Sequence, residues 1–202
     1  TGFAGVGNRD SDVWDGEPEG VYVPTDTPAQ MVCKSDSCEI FVAGARFDGR
    51  LIPFAVHKNE IDVVQYGSDD TKTHRKIKHI LGQKQVDKVG RLLVSELYTV
   101  GAGGWSGFPP HKHDTDRLPN ETRHDEVYNF RFKPSHGFGM QLLEPDEDKL
   151  GEAFHIVDGS SFAIKSGYHP CVVAPGYEMY YFTILGGLSQ RSLVQYFQPE
   201  HA

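Results

Sequence analysis

Cysteine and cationic residues are both in short supply. Three cysteines in 202 residues are an odd number and make no disulfide framework. Cys33 and Cys38 flank a short turn and could face each other across a hairpin. The plainer reading is two reduced thiols in a cytoplasmic protein. Lys and Arg number 20 against 28 Asp and Glu, a formal charge of −8. That balance argues against non-specific nucleic-acid binding, which needs clustered cations to neutralise phosphates. No run of 18 apolar residues exists, so no transmembrane helix is expected, and no signal-peptide pattern opens the sequence. Helical periodicity is almost absent. So are a Walker-type loop and a dinucleotide-binding glycine fingerprint. Gly104-Trp105-Ser106-Gly107 is no nucleophile elbow, because Phe108 stands where that motif needs its second glycine.

What is present is turn chemistry between short apolar runs. Gly 22 and Pro 12 recur about every ten residues, as in a β-sandwich or barrel. Candidate strands rich in Val, Ile, Phe and Tyr are Val21–Pro24, Gln30–Cys33, Glu39–Ala43, Arg75–Ile80, Arg91–Thr99, Glu126–Phe132, Phe138–Leu143, Ala153–Ile156, Ser161–Ile164, His169–Ala174 and Met179–Leu185. The polar stretch Tyr66–Lys72 reads as a domain boundary or an exposed crossing. The basic stretch Thr73–His79 reads as the solvated face of a strand. A loose internal repeat relates Val21–Ala45 to Phe162–Gly187, which suggests two similar all-β units. If so, the first unit has nothing upstream to supply its opening strands.

The segment Gly104–Phe132 carries the chemistry. His111 and His113 are two residues apart, so on a strand both imidazoles share a face. Pro109 and Pro110 before them suppress helix. Glu126 opens an alternating strand thirteen residues later, and Gly167-Tyr168-His169-Pro170 brings a third imidazole to a strand edge. Three imidazoles and one carboxylate suit a divalent metal such as Zn, Mn, Fe or Ni. The isolated His57, His74, His79, His155 and His201 read as surface groups.

The order His-x-His, Glu, Gly-x-His in short strands resembles the two metal motifs of the cupin superfamily. The insertion Asp114–Asp125 between the His pair and Glu126, with PPHKHD before it and EVYNFRF after it, resembles the 5-deoxy-glucuronate isomerase family of bacterial inositol catabolism. So do GNRDSDVWDGEPEGVYVP, HGFGMQLL and DGSSFAIKSGYHPCVVAPGYEMYYFTILGG. The related 5-keto-4-deoxyuronate isomerases share the ligand logic and match less well. The resemblance implies an all-β bicupin of two jelly-roll barrels. Residues 1–68 would be the metal-free remainder of the first barrel, and 69–202 the second barrel with the metal. Ser106-Gly107-Phe108 departs from a more usual Ser-Ser-Tyr, and Lys165 stands where cupins often have Pro.

The same resemblance implies a metal-dependent aldose–ketose isomerisation, with Zn the first choice of metal and His111, His113, Glu126 and His169 as its ligands. The proton beside the aldehyde must leave and return on the neighbouring carbon, through an enediolate that the metal stabilises. Tyr128, Tyr180, Tyr181, Glu96, Asp125 and His124 are candidates for the base, with Tyr128 and Tyr181 preferred. The substrate's far carboxylate needs a cation, and Arg123, Lys112 and Lys165 are near in sequence. The expected partner is a small sugar acid, not nucleic acid or membrane, and a homo-oligomer stays open. The same ligands on a cupin could also serve a dioxygenase, a sugar-binding protein or a structural staple.

Overall fold

The computed structural model describes residues 1–145 and 150–202. Its strands are β1 (Gly20–Tyr22), β2 (Phe54–Val56), β3 (Asp62–Tyr66), β4 (Arg75–Leu81), β5 (Leu92–Thr99), β6 (Trp105–Ser106), β7 (His111–Lys112), β8 (His124–Lys133), β9 (Phe138–Leu143), β10 (Glu152–Val157), β11 (Ser161–Ile164), β12 (Cys171–Val173), β13 (Glu178–Gly187) and β14 (Tyr196–Phe197). Helix among the described residues is limited to two 3-10 turns, Lys58–Glu60 and Gln83–Gln85. None is long and apolar enough to cross a membrane. The all-β expectation is met.

Two sheets do most of the work. One runs β11-β8-β13-β5-β4-β3 and the other β10-β9-β12-β6, while β1-β2 and β14-β7 form small ribbons. β13 explains the layering. Its sequence, EMYYFTILGG, is apolar on both faces because both faces are covered. Met179 and Tyr181 turn inward, joining Tyr128, Phe130 and Phe132 of β8 and Cys171 and Val173 of β12 in one cluster. Tyr180 and Phe182 turn outward and join Val94 and Tyr98 of β5 with Val13 and Val56. The segment before β3 therefore covers the outer face of the larger sheet.

That segment departs from expectation. Gln30–Cys33 and Glu39–Ala43 form no strands, and Met31, Val32, Ile40 and Val42 are exposed. Their β-propensity reflects fit to a half-buried surface. Here the fit is met by packing without pairing: Phe41 stacks on Phe182 with centroids 4.6 Å apart, and Ala43 and Ala45 join the same cluster. Of the first copy of the repeat suggested by sequence, only Val21 and Tyr22 lie in a paired strand.

Tyr66–Lys72 begins the turn of a hairpin. β3 pairs with β4, Tyr66 opposite Arg75, and Thr73 N–H donates to the Ser68 carbonyl at 3.0 Å. Gly67 has φ +81°, and a Cβ there would meet the Thr73 carbonyl oxygen at 2.1 Å, so only glycine fits. The basic stretch that follows is not a solvated face. Lys78 is buried, donates to the Gly16 carbonyl, pairs with Glu17 at 3.2 Å and lies over the Tyr98 ring.

One buried ion pair fastens the covering segment. Arg9 donates to both oxygens of Glu96, at 2.7 and 2.5 Å. Tyr98 and Tyr180 hydroxyls donate to the same carboxylate at 2.9 and 3.0 Å. Removing one partner of a buried pair strands the other charge, which costs roughly 3–5 kcal/mol. Arg9→Ala should therefore shift the urea unfolding midpoint by an equivalent of about 3 kcal/mol. Val32→Ala, at an exposed position, should stay within about 0.5 kcal/mol.

Candidate metal centre

Period-two alternation builds the inner wall. Along β8, His124, Glu126, Tyr128, Phe130 and Phe132 are buried, while Asp125, Val127 and Lys133 are exposed. Glu126 thus faces inward with the aromatic core beneath it. His111 sits on β7, which pairs with β14 through His111–Phe197 and Lys112–Tyr196, and His113 follows two residues on. His169 lies just ahead of β12, where the Glu144–Tyr168 bridge carries the chain toward the smaller sheet. Three separate pieces of chain meet here.

The Asp114–Asp125 insertion is a compact loop pinned by Glu121, which is fully buried. Its carboxylate accepts Asp114 N–H at 2.7 Å, Thr115 N–H at 3.0 Å and Arg117 Nε at 2.7 Å. His124 N–H then donates to the His113 carbonyl at 2.8 Å, so the chain returns beside the residue it left. Asp114 also accepts Gly167 N–H at 2.8 Å, tying the His pair to the turn that carries His169.

The imidazoles are oriented from behind. Nδ1 of His169 donates to the Gly167 carbonyl at 2.8 Å, Nδ1 of His113 to the His124 carbonyl at 3.0 Å, and Nδ1 of His111 faces the Pro109 carbonyl at 3.3 Å. That leaves Nε2 of each ring as the lone-pair nitrogen. One ligand nitrogen from each of the three rings falls within 4.8 Å of the others, and all three residues are buried. A Glu126 oxygen lies 3.0 Å from His113 Nε2 and 3.3 Å from His169 Nε2. His169 Nε2 is buried with no hydrogen-bond partner. A buried acceptor left in that state is costly, and a cation at the centre would satisfy it together with the carboxylate. The donor set fits a divalent transition metal.

Two supports were not apparent from the sequence. Thr183 Oγ1 donates to Glu126 Oε1 at 2.6 Å and fixes the carboxylate's second oxygen. Gln141 Nε2 donates to the His169 carbonyl at 2.9 Å. The alternation Met179, Tyr181, Thr183 carried the signal for the threonine.

The other sequence candidates divide by strand face. Tyr128 and Tyr181 are buried with ring centroids 4.4 Å apart, and Tyr128 lies 6.4 Å from the His169 ring. The Tyr181 hydroxyl is 2.6 Å from Ser106 Oγ. Burial, and then nearby negative groups, push both phenols well above the usual range. Glu96 and Tyr180 lie on the opposite face in the Arg9 pair, away from the histidines. His124 faces inward, with Nε2 at 3.1 Å from the Arg191 carbonyl. Lys112 takes the opposite face of β7 from the His pair, beside Asp114 and over the rings of Tyr168 and Tyr196. Arg123, Asp125 and Lys165 are exposed, so the structure does not bring these to the cluster. His79, expected at the surface, is half-buried with Nδ1 2.7 Å from Ser95 Oγ.

The KduI/IolB family model matches residues 1–202. A 5-deoxy-glucuronate isomerase of Lacticaseibacillus casei is 33% identical over 207 residues, covering 99% of this chain and 72% of the relative. One from Geobacillus kaustophilus is 34% identical over 174 residues, covering 84% of this chain. The chain spans 59% of that relative's length. The crystal structure of an IolB-like protein from Salmonella typhimurium superposes with a TM-score of 0.69 at 31% identity, over 76% of this chain and 56% of the other.

Acid should weaken the metal-free fold. Burial pushes His111 from 6.5 down to about 3, and burial lowers His79 and His124 as well. Below pH 6.5 the unfolded chain takes up protons that these folded rings refuse. Their contribution is complete above that value and is lost as pH falls toward 3. His113 has the opposite sign: burial is outweighed by Glu126, its pKa is raised, and its contribution is lost as pH rises through the folded value. Three groups against one set the direction. For chelator-treated protein, the urea midpoint should fall between about pH 7.5 and 5, by of order 2 kcal/mol. His111→Gln should flatten that slope.

Proposed function

The chain belongs to the KduI/IolB family, and from that membership we propose that it isomerises 5-deoxy-glucuronate to 2-deoxy-5-keto-gluconate. The observation that carries the reading is the convergence of His111, His113 and His169 on Glu126, each ring turned by a backbone carbonyl so that Nε2 points to one centre. In this reading, residues 69–202 form the metal-holding cupin barrel. Residues 1–68 belong to a companion unit; the packing of the segment before β3 on the outer sheet face supports a separate layer there, while β3 itself is paired into the larger sheet through β4.

His111, His113, His169 and Glu126 would hold the ion, with Zn the best match to three imidazoles and a carboxylate. When bound, it supplies Lewis-acid stabilisation for the charge that develops on the carbonyl and neighbouring hydroxyl oxygens. The chain's own residues do the rest. Thr183 holds Glu126 in its ligating orientation. Tyr128 and Tyr181 line the inner wall beside the cluster, and their burial keeps each proton on its phenol oxygen at neutral pH. They are therefore placed to donate hydrogen bonds to substrate oxygens, a different role from that of the proton-abstracting base suggested by the sequence. Phe130, Phe132 and Met179 beneath them exclude water from that wall.

The test is turnover of 5-deoxy-glucuronate by the metal-loaded protein in deuterated water, followed by NMR. The ketone should form without oxygen uptake and carry deuterium at the receiving carbon. No product, or oxygen consumed in step with substrate, would sink the reading. His113→Ala should lose both bound metal and turnover, with circular dichroism little changed, because the core is built from aromatic and aliphatic strands. Thr183→Val should keep the fold and weaken metal affinity about 10- to 100-fold, as loss of an orienting partner does, measured by competition with a chelator.

A further inference from the structure

Several cations that this fold draws in from solvent are held by partners. Arg9 is paired with Glu96, Lys78 with Glu17, and Arg131 with Glu39. Arg191, which has no acid, donates to three backbone carbonyls, those of Leu92, Leu81 and Gly82. Arg75 has neither arrangement. Among the described residues no carboxylate lies within 4.0 Å of it. One Nη donates to the Phe108 carbonyl at 3.2 Å, and Nε is buried without a hydrogen-bond partner.

The strand register says where this guanidinium points. Lys78 and Ile80 of β4 face the outer layer. Arg75 and Ile77, at odd positions, face inward, and Ile77 stands opposite Leu97, which packs on the inner cluster. Arg75 is therefore on the same side of the sheet as Glu126, Tyr128 and Tyr181. Its contact with Phe108 places it against the segment that leads through Pro109 and Pro110 to His111. Its positive charge is felt at Tyr181 and Cys171, lowering both against the upward push of burial. An inward cation with donors to spare and no acid beside it is suited to an anionic ligand, and the guanidinium fork matches a carboxylate.

We propose that Arg75 binds the substrate's carboxylate and so selects uronates over neutral sugars, holding the far end of the molecule while the aldehyde end faces the histidines. This rests on the isomerase reading for the identity of the substrate. Arg75 replaces Arg123, Lys112 and Lys165 in the role the sequence suggested for them. The unused Nε–H is the donor that a second carboxylate oxygen would take.

The experiment compares wild type, Arg75→Met and Arg75→Lys, all metal-loaded. Two readouts are taken: steady-state kinetics with 5-deoxy-glucuronate, and calorimetric binding of D-glucuronate as a carboxylate probe, with D-glucose as its neutral control. Arg75→Met should raise KM roughly 10- to 100-fold, the usual weight of a charge-assisted pair. Its kcat should stay within about threefold and its metal content should not change. Glucuronate binding should weaken by a similar factor, while any glucose binding is unaffected. Arg75→Lys keeps the charge without the fork and should fall between; it decides the matter alone if the Met variant does not fold. Unchanged KM and glucuronate affinity would overturn the proposal. So would a loss confined to kcat, or a wild type that does not bind glucuronate. A wild type that binds glucuronate but turns over no 5-deoxy-glucuronate refutes the isomerase reading instead. The glucuronate comparison then still decides the role of Arg75.

Discussion

The pairing of β8 with β13 is the constraint on which the rest depends. Ten residues of each strand are in register, from Glu178 opposite Lys133 to Gly187 opposite His124. That register fixes the face of every side chain along both strands, because a slip of one residue would exchange inside and outside. Phe130, Phe132, Met179 and Tyr181 are the anchors that forbid the slip, since each would lose nearly complete burial. With them locked, Glu126 and Thr183 must face the same interior and can meet through a 2.6 Å hydrogen bond. The placement of the proposed metal ligand is thus a consequence of hydrophobic register.

The remaining ligands arrive by a different route. β7 is only two residues long, and a strand that short holds its geometry poorly by pairing alone. Buried carboxylates take over that task. Glu121 gathers the start of the insertion, and Asp114 reaches across to the Gly167 turn. The charge-assisted hydrogen bonds to backbone N–H groups are stronger than neutral ones, and the loop has no large apolar core of its own. The site is therefore held on one side by packing and on the other by polar contacts.

The outer face of the sheet shows how the same chemistry can serve another purpose. Glu96, Tyr98 and Tyr180 are titratable, buried and clustered, features that also mark a reactive centre. Here Arg9 neutralises the carboxylate and the phenols complete its hydrogen bonds, so the cluster is a closed clasp between two parts of the chain. Closure separates it from the inner site, where His169 Nε2 and Arg75 Nε remain without partners. The outer cluster leaves Arg9 Nε without a partner too; what distinguishes the two is that both oxygens of its carboxylate are bonded, whereas the inner site leaves a ligand nitrogen, His169 Nε2, open.

Much of this was legible from residues. The alternation in EVYNFRF and the short runs bounded by Gly and Pro determined an all-β fold. His-x-His, a downstream Glu and the Gly-Tyr-His-Pro turn determined which four side chains to bring together. Local periodicity is enough for such statements, because it is set by the backbone's own repeat. Other features were decided only by tertiary structure. Met31 and Val32 look like strand residues and pair with nothing, since pairing needs a partner edge that sequence does not reveal. Arg75 sat in a basic run that read as solvated, and its inward face follows from its position opposite Thr99 and two residues before Ile77. Lys112 and Arg123 were near the ligands in sequence yet lie on the wrong faces, because one residue along a strand reverses the direction of a side chain. What a residue is, and its spacing from its neighbours, the sequence determined alone; what it faces depends on which strands come to lie beside it.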